Sequence, residues 1–520
     1  MKPLPKAMRL LFVFCMLIVL MPAAAKAAKH TYTVSNAKNG SDITKKLQYY
    51  LDYAAEGEAG DTYEIIVPAG TYHLSASLAL YSNTTLISNG VTYIRDNGKK
   101  TMLRAGRPSE QVPLYRYNGY HDIAIIGGTW DGNKGTVPIY RNAHEKNITI
   151  KDCTFCRTKS THMVTFGACK NVLIDNCTFK DFIGKSTART EALQFDIMKE
   201  AVFPNQPAYD DTPCADITVQ NCTFTGVPSG VGTHSSIAGS YFNNFKFLNN
   251  TFTDLFSYAI ITSNFTNCEI SGNKITDCGS GIIIRTYAKE VKSFYPSLSR
   301  NVTVVKKQNV KVSGNTISVK YRGYKSMATA IKVYGQKTKK KNKLGAPAAD
   351  YRAGKIEISG NTITFPVKGI AVALEGAVSC KVNSNNITVN VQNKATNAGP
   401  GDGIRLTKCQ KCTVSGNTIV SKANNKLCET QSGINLLKSK KTKISKNTIK
   451  GFASDGVRVN DSSTATVTRN KIKSCKRFGI LAWKKSKATI SKNTIKKSGK
   501  KATRTMEGGK INGKTIGPND

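Results

Sequence analysis

Acidic residues are scarce in this sequence. Its 520 residues set 33 aspartates and glutamates against 76 lysines and arginines, a formal net charge of +43. A surface of that sign selects polyanions and repels cationic partners. Long apolar runs are missing too: past Met21 no segment reaches the roughly 20 residues a bilayer-spanning helix needs. The Leu-x-x-Leu-x-Leu framework of leucine-rich repeats is absent, and no helical segment separates the short apolar runs. Nor does any linker divide the chain, although its length alone would suggest several domains.

Lys2, Lys6 and Arg9 precede an apolar run from Leu10 to Met21, and Ala25-Lys26-Ala27 offers a small-x-small cleavage site. Residues 1–27 therefore read as a secretory signal peptide. The run is too short for an uncleaved anchor, and Cys15 lies inside it rather than at its end, which argues against a lipid-anchored cysteine. The expected location is secreted or extracellular, with association to a cell wall. There the basic surface, richest in lysine over 337–343, 438–446 and 471–501, meets acidic polysaccharide or cell-wall polymer rather than nucleic acid. A monomer is expected.

What fills the rest is a recurring phrase. Residues 309–317 read NVKVSGNTI, 355–363 KIEISGNTI, 411–419 KCTVSGNTI, 441–449 KTKISKNTI and 487–495 KATISKNTI. Earlier copies put Cys153, Cys177 and Cys222 where later ones put Asn250, Asn273, Asn315, Asn361, Asn385, Asn417, Asn447, Asn470 and Asn493. Neighbours in this series stand 23 to 46 residues apart, and the steps of 42 to 46 read as two units with one copy blurred. Within a copy, Val310 and Val312, or Ile356 and Ile358, alternate with polar residues, which is strand period. A second apolar run follows each Asn, as in Gly369-Ile370, Gly403-Ile404, Gly433-Ile434, Gly456-Val457 and Gly479-Ile480. The expected fold class is all-β: a parallel β-helix solenoid whose coils stack about 4.8 Å apart.

In such a stack the repeated Asn forms a structural ladder, its amide bonding the next coil. The cysteines that replace it, with Cys268, Cys380 and Cys412 at inward positions, read as stacked core thiols, with a few bridges between coils left open. The CxxC pairs Cys153/Cys156 and Cys409/Cys412 fall on repeat strands, which disfavours zinc. Ser41 is placed to cap a helix with apolar face Ile43, Leu47, Tyr50, Leu51 and Ala54, closing the open end of the stack. Residues 28–95 then hold this cap and the first strands, 96–500 the coils, and 501–520 a flexible basic tail.

The opening helix, IIVPAGTY, SNTTLI, GGTWDGN and the SGNTI coils together resemble the right-handed parallel β-helix proteins of the pectin-lyase-like superfamily. That resemblance covers most of residues 30–500. It implies an exported protein acting on acidic, uronate-containing polysaccharide by hydrolysis or β-elimination, or a non-catalytic member that binds cell-wall or surface polysaccharide.

Aligning the second strands on their Gly/Ala-apolar start sets Ala192–Asp196 over Gly230–His234, Ala259–Ser263 and Gly281–Arg285. With Leu193 and Phe195 inward, Gln194 and Asp196 face out, and Asp196, His234, Ser263 and Arg285 share one outer column. A second column holds Glu191, Ser229, Tyr258 and Ser280, and the C-terminal coils continue the first with Thr407, Leu437, Asn460 and Trp483. Insertions at 199–214 and 288–306 flank these coils, and such loops usually sit on a solenoid's working face. The first brings Tyr209, Asp210 and Asp211. Expected catalytic residues are therefore Asp196, His234, Glu191, Arg285 and Asp211, with Gln194, Tyr258, Asp210, Tyr209 and Trp483 binding substrate.

Two chemistries fit these parts. An inverting hydrolase needs an acid and a base about 6.5–9.5 Å apart, which Asp196 could form with Glu191, Asp210 or Asp211. An eliminase needs a base, His234 or Tyr258, with Arg285 neutralising the uronate carboxylate. Polygalacturonases carry Asn-Thr-Asp, Asp-Asp, Gly-His-Gly and Arg-Ile-Lys. Here the counterparts are Gln194-Phe195-Asp196, Asp210-Asp211, Gly232-Thr233-His234 and Ile284-Arg285-Thr286, in order but altered. The Trp-Ile-Asp-His and calcium-binding carboxylates of pectate lyases are missing, so no cofactor is expected and calcium is unsupported. His144, His162, Asp402 and Asp455 read as turn or surface groups.

Overall fold

The computed structural model describes residues 27–515 apart from 59, 108–113, 185–189, 204–207, 234, 238, 287–303, 323–326, 341–346 and 393–398. Residues 1–26 of the expected signal peptide, His234 and most of the 288–306 insertion lie outside the described residues.

Alternation builds the strands. Val310, Val312, Ile317 and Val319 are buried while Lys311 and Thr316 between them are exposed. One coil runs Val310–Ser313, Thr316–Val319, Ala328–Lys337, then returns as Ile356–Ser359 directly beneath the first strand. Val310 sits on Ile356 and Val312 on Ile358 in parallel register, so each inward side chain packs on its own kind. Repetition yields three parallel sheets of 17, 15 and 16 strands around one apolar core. Each coil visits them in that order, and they are called the first, second and third sheets accordingly. Four phenylalanines, Phe155, Phe179, Phe224 and Phe252, stack along the interior at ring separations of 5.3, 4.7 and 4.8 Å.

The corner between the first and second sheets is held by the amide ladder. Asn315 Oδ1 accepts from both the backbone N–H (3.0 Å) and the Nδ2 (2.9 Å) of Asn273. Asn361 does the same for Asn315, at 3.0 and 2.9 Å, and the pattern repeats down to Asn493. At the top thiols take over: Cys177 N–H points at Cys222 Sγ (3.4 Å), and Cys222 N–H donates to Asn250 Oδ1 (2.9 Å). Every described cysteine is buried and free.

Three expectations are corrected. The long steps are single coils, not pairs: Lys170–Asp175 pairs directly with Ala215–Gln220, Phe265–Ser271 with Val310–Ser313, and that strand with Ile356–Ser359. The additional residues are insertions between strands. A helix does cover the N-terminal end over Thr44–Glu56, burying Leu47 and Leu51, but Ser41 does not cap it. The Asp42 carboxylate accepts from Thr44 N–H (2.8 Å), whereas Ser41 Oγ turns back to the Lys38 carbonyl (2.6 Å). Finally, the coils continue past residue 500: Lys501–Met506 pairs with Phe478–Trp483, and Lys510–Asn512 with Lys487–Ser491. That last coil buries Ala502 as its inward residue, so its polar composition hides its strands.

Candidate functional site

The outer face of the third sheet carries the candidate residues. Leu193, Val231, Ile260 and Ile282 pair in register as a core column. One residue on, Gln194, Gly232, Ile261 and Ile283 form an outward column, and two beyond that Ser263 pairs with Arg285. Gly232 lies so close to the next strand that a Cβ there would stand 1.8 Å from the Ile261 carbonyl oxygen, so only glycine fits.

Glu191, Gln194 and Asp196 lie on one strand, and the last two come together. Gln194 Nε2 donates to Asp196 Oδ2 (2.9 Å), and Asp196 Oδ1 accepts from Ile197 N–H (2.7 Å). All three are buried, with Glu191 and Asp196 at 0% and Gln194 at 1% exposed. The outward face here is roofed, not an open trough. Met198 and Phe203, from the 199–214 insertion and its approach, pack with Ala143 and Ala168 in a small apolar cluster outside the main core. Gly167, whose strand position abuts Asp196, leaves room for the Phe203 ring; a Cβ would come within 2.4 Å of it.

The insertion residues serve that roof. Tyr209 packs against its apolar cluster and is half-buried. Asp210 is engaged at both oxygens, by Arg116 N–H (2.7 Å) and Thr212 N–H (3.1 Å). Asp211 is buried in the left-handed backbone region, its N–H donating to the Met198 carbonyl (3.0 Å). Arg285 stands three rungs below Asp196, about 14 Å of strand spacing. It donates from Nη2 to the Thr233 carbonyl (3.1 Å), which also accepts from Ser263 Oγ (3.3 Å). Tyr258 opens the intervening strand and is half-buried. Trp483 lies at the far C-terminal end of the same face, with Lys484 Nζ 4.9 Å from its ring centre. The structure thus unites Gln194 and Asp196 beside the roof formed by Met198 and Phe203, leaves Glu191 further back on the strand against His162, and separates Arg285 and Trp483 from them.

Four residues read as turn or surface groups are otherwise. His162 Nδ1 donates to the Glu191 carbonyl (2.6 Å) and stands 3.9 Å from its carboxylate. His144 is buried, one ring nitrogen 2.8 Å from the Arg116 carbonyl and the other 2.9 Å from that of Ala208, pinning the roof loop. Asp402 and Asp455 are fully buried and ion-paired with Arg405 and Arg458, both at 2.6 Å. Their signal was present as the repeated Asp-Gly-Ile-Arg and Asp-Gly-Val-Arg at 402–405 and 455–458. Inside the stack, burial drives the Glu145 carboxyl well above its ordinary range. Among the described residues no group of three or more His, Cys, Asp or Glu side chains is placed to hold a metal ion.

The second sheet presents a different surface. Its outward positions are uncharged over the four coils from Thr316 to Val420, with Thr316 and Ser318 stacked on Thr362 and Thr364. In the last three coils they become Thr448 and Lys450, Lys471 and Lys473, then Thr494 and Lys496, in register. The preceding turn position is left-handed throughout: Gly314 (φ 66°), Gly360 (63°), Ser384 (56°) and Gly416 (65°) give way to Lys446 (57°), Arg469 (57°) and Lys492 (54°). Seven cations thus share three rungs, all exposed. The ion pairs of these coils, Lys438–Asp461 and Arg458–Asp455, involve none of the seven.

Residues 348–516 match the family described as the right handed beta helix region. The chain is 26% identical over 271 residues to the plasmin and fibronectin-binding protein A of Streptococcus pneumoniae (strain ATCC BAA-255 / R6). That match takes in 45% of this chain and only 37% of the relative, so it spans little over a third of that protein's length. The crystal structure of PfbA, a surface adhesin of Streptococcus pneumoniae, aligns over 91% of this chain and 93% of its own at 19% identity and a TM-score of 0.46. The tailspike protein of E. coli bacteriophage HK620 in complex with a pentasaccharide aligns over 90% of this chain and 75% of its own, at 15% identity and a TM-score of 0.56. No helix among the described residues is long and apolar enough to cross a membrane. With its three parallel sheets and continuous ladder, the chain is a right-handed parallel β-helix protein.

Proposed function

We propose that this protein is a surface-directed, non-catalytic β-helix that binds acidic, uronate-containing glycan through the cationic face of its last coils. The observation that carries this reading is the grid of Lys446, Lys450, Arg469, Lys471, Lys473, Lys492 and Lys496. It is unfavourable twice over without a ligand. Like charges sit directly opposite on neighbouring strands, which is destabilising. Three bulky non-glycine residues hold a left-handed conformation at roughly 1 kcal/mol each, in a position where three of the four preceding coils use glycine. A polyanion lying along the coils would offset the repulsion, its carboxylates spaced along the same axis as the cations.

Cleavage is the second reading. It is favoured by the buried Gln194–Asp196 pair, with Glu191 and His162 on the same face of the stack, and opposed by the roof over that pair. Co-sedimentation with insoluble polygalacturonate and alginate tests both. The binding reading expects retention of the wild type and at least tenfold weaker retention of the Lys450→Ala/Lys473→Ala/Lys496→Ala variant, with Asp196→Asn unchanged. Release of reducing ends or unsaturated uronate that Asp196→Asn abolishes would replace it with the enzyme. The pneumococcal relative is named for binding plasmin and fibronectin; capture of either by this chain with no glycan retention would overturn the glycan reading.

A further inference from the structure

The third-sheet face over the C-terminal coils bears a second polar patch, remote from the lysine grid and from Asp196. Its frame is the module repeated two coils apart, Asp402-Gly403-Ile404-Arg405 and Asp455-Gly456-Val457-Arg458. Each buried aspartate holds the arginine three residues on. Arg405 Nε donates to Asp402 Oδ2 (2.7 Å), and Arg458 Nε to Asp455 Oδ2 (2.6 Å) while its Nη2 donates to Ser454 Oγ (2.6 Å). Asn435 lies between the arginines, paired with Arg405 on one strand and Arg458 on the other. Its Nδ2 donates to Asp402 Oδ2 (3.0 Å), which fixes the amide with its oxygen turned away from that carboxylate.

The pairs leave polar atoms unmatched. Asn435 Oδ1, Asp455 Oδ1 and Asn460 Oδ1 have no hydrogen-bond partner, nor do Ser432 Oγ and Trp483 Nε1. Asn435 is 3% and Asp455 0% exposed, so each unmet oxygen carries a desolvation cost of about 1–3 kcal/mol. The five lie on adjoining rungs, and a buried polar group of this kind ordinarily has a partner. Their chemistry is specific. The patch is charge-balanced within its two Asp/Arg pairs, and three of the five atoms are acceptors. A carboxylate, which only accepts, satisfies none of those three, whereas a hydroxyl donates and accepts. Next to them Leu437 and Trp483, half-buried on the neighbouring outward column, form an apolar ledge of the kind a pyranose covers with its C–H face. Asn460 at 9% exposed and the Arg405 side chain at 19% open the notch to solvent.

We infer that this notch, built from Arg405, Asn435, Asp455, Arg458, Asn460 and Trp483, binds a neutral hexopyranose unit. It is independent of the polyanion reading, since it lies on another sheet and uses no residue of the lysine grid.

Tryptophan emission tests it directly. Of the two tryptophans, Trp130 is buried and stacked on Tyr93 at 4.2 Å, leaving Trp483 as the reporter. The full chain is titrated with cellohexaose, mannohexaose and chitohexaose. A saturable change in emission with at least one, weakened tenfold or more in Asn435→Ala and in Asn460→Ala while the melting temperature stays near wild type, supports the notch. Should Asn435→Ala fail to fold, the less buried Asn460→Ala decides. No saturable change with any of the three, protection of Trp483 by polygalacturonate alone, or equal affinity in Asn460→Ala would overturn it and leave ordered water as the occupant. Replacing Lys450, Lys473 and Lys496 is expected to leave this titration unchanged, which separates its failure from that of polyanion binding.

Discussion

At the scale of single residues, the ladder amides do more than fill space. Asn361 Oδ1 accepts two bonds from Asn315, and its Nδ2 donates to the Val312 carbonyl (3.0 Å) and to Asn385 Oδ1 (2.9 Å). Asn361→Ala strands those buried partners. We expect it to cost about 3–5 kcal/mol, more than an ordinary surface change by an order of magnitude, measured as a drop in denaturant midpoint at unchanged slope. Glu145 behaves oppositely. Its carboxyl is buried with Tyr140, and the Asn142 amide, in the one orientation that satisfies both its ends, donates to Glu145 Oε1 (3.0 Å). Because burial raises its folded pKa above the ordinary 4.5, its contribution is full below pH 4.5 and lost as pH climbs toward the folded value. Each pH unit in that window costs the wild type about 1.4 kcal/mol. Glu145→Gln should therefore unfold at higher denaturant than wild type at pH 7 and match it at pH 4.

Much of this is legible residue by residue. An amide that must bond its own copy in the next coil has to recur, so the series Asn250 through Asn493 marks the corner in the bare sequence. Asp402 and Asp455 are misread there because a lone Asp before Gly is an ordinary turn. Their role appears only once the chain is folded and the arginine three residues on meets the buried carboxylate.

At the scale of elements, insertions and turns are where the sequence misleads and where the molecule is adjustable. Apolar repeats say which side chains point in, but not what covers those that point out. Asp196 stands on the outer side of its strand, yet Met198 and Phe203, two apolar residues in an irregular stretch, carry no period by which their docking near Gly167 could be foreseen. Phe203→Ala should loosen that roof by about 2–4 kcal/mol locally. Limited proteolysis within 199–214 should then quicken while the melting of the coils barely shifts, because repeats depend on their neighbours and not on loops. In the last coils the left-handed turn offers the reverse experiment. Arg469→Gly restores the residue most of the middle coils use, and should stabilise by roughly 1 kcal/mol while weakening retention on polygalacturonate.

At the scale of the whole molecule, the two binding surfaces make opposite demands on the solvent. The cations of the second sheet act through a net charge of +43 that salt screens, with the Debye length shrinking from about 14 Å at 0.05 M to about 4 Å at 0.5 M. Hydroxyl recognition in a charge-balanced notch is short-ranged and sees little of this. Raising sodium chloride across that range should therefore weaken retention on polygalacturonate at least tenfold, and leave the Trp483 titration with a neutral oligosaccharide within a factor of two. A polymer that alternates uronate with neutral hexose would engage both faces of one rod and bind more tightly than either homopolymer, provided it can wrap from the second sheet to the third. Equal salt sensitivity at the two sites would mean that the field of the whole solenoid, rather than the local pairing of Asp402 with Arg405 and Asp455 with Arg458, governs what this surface holds.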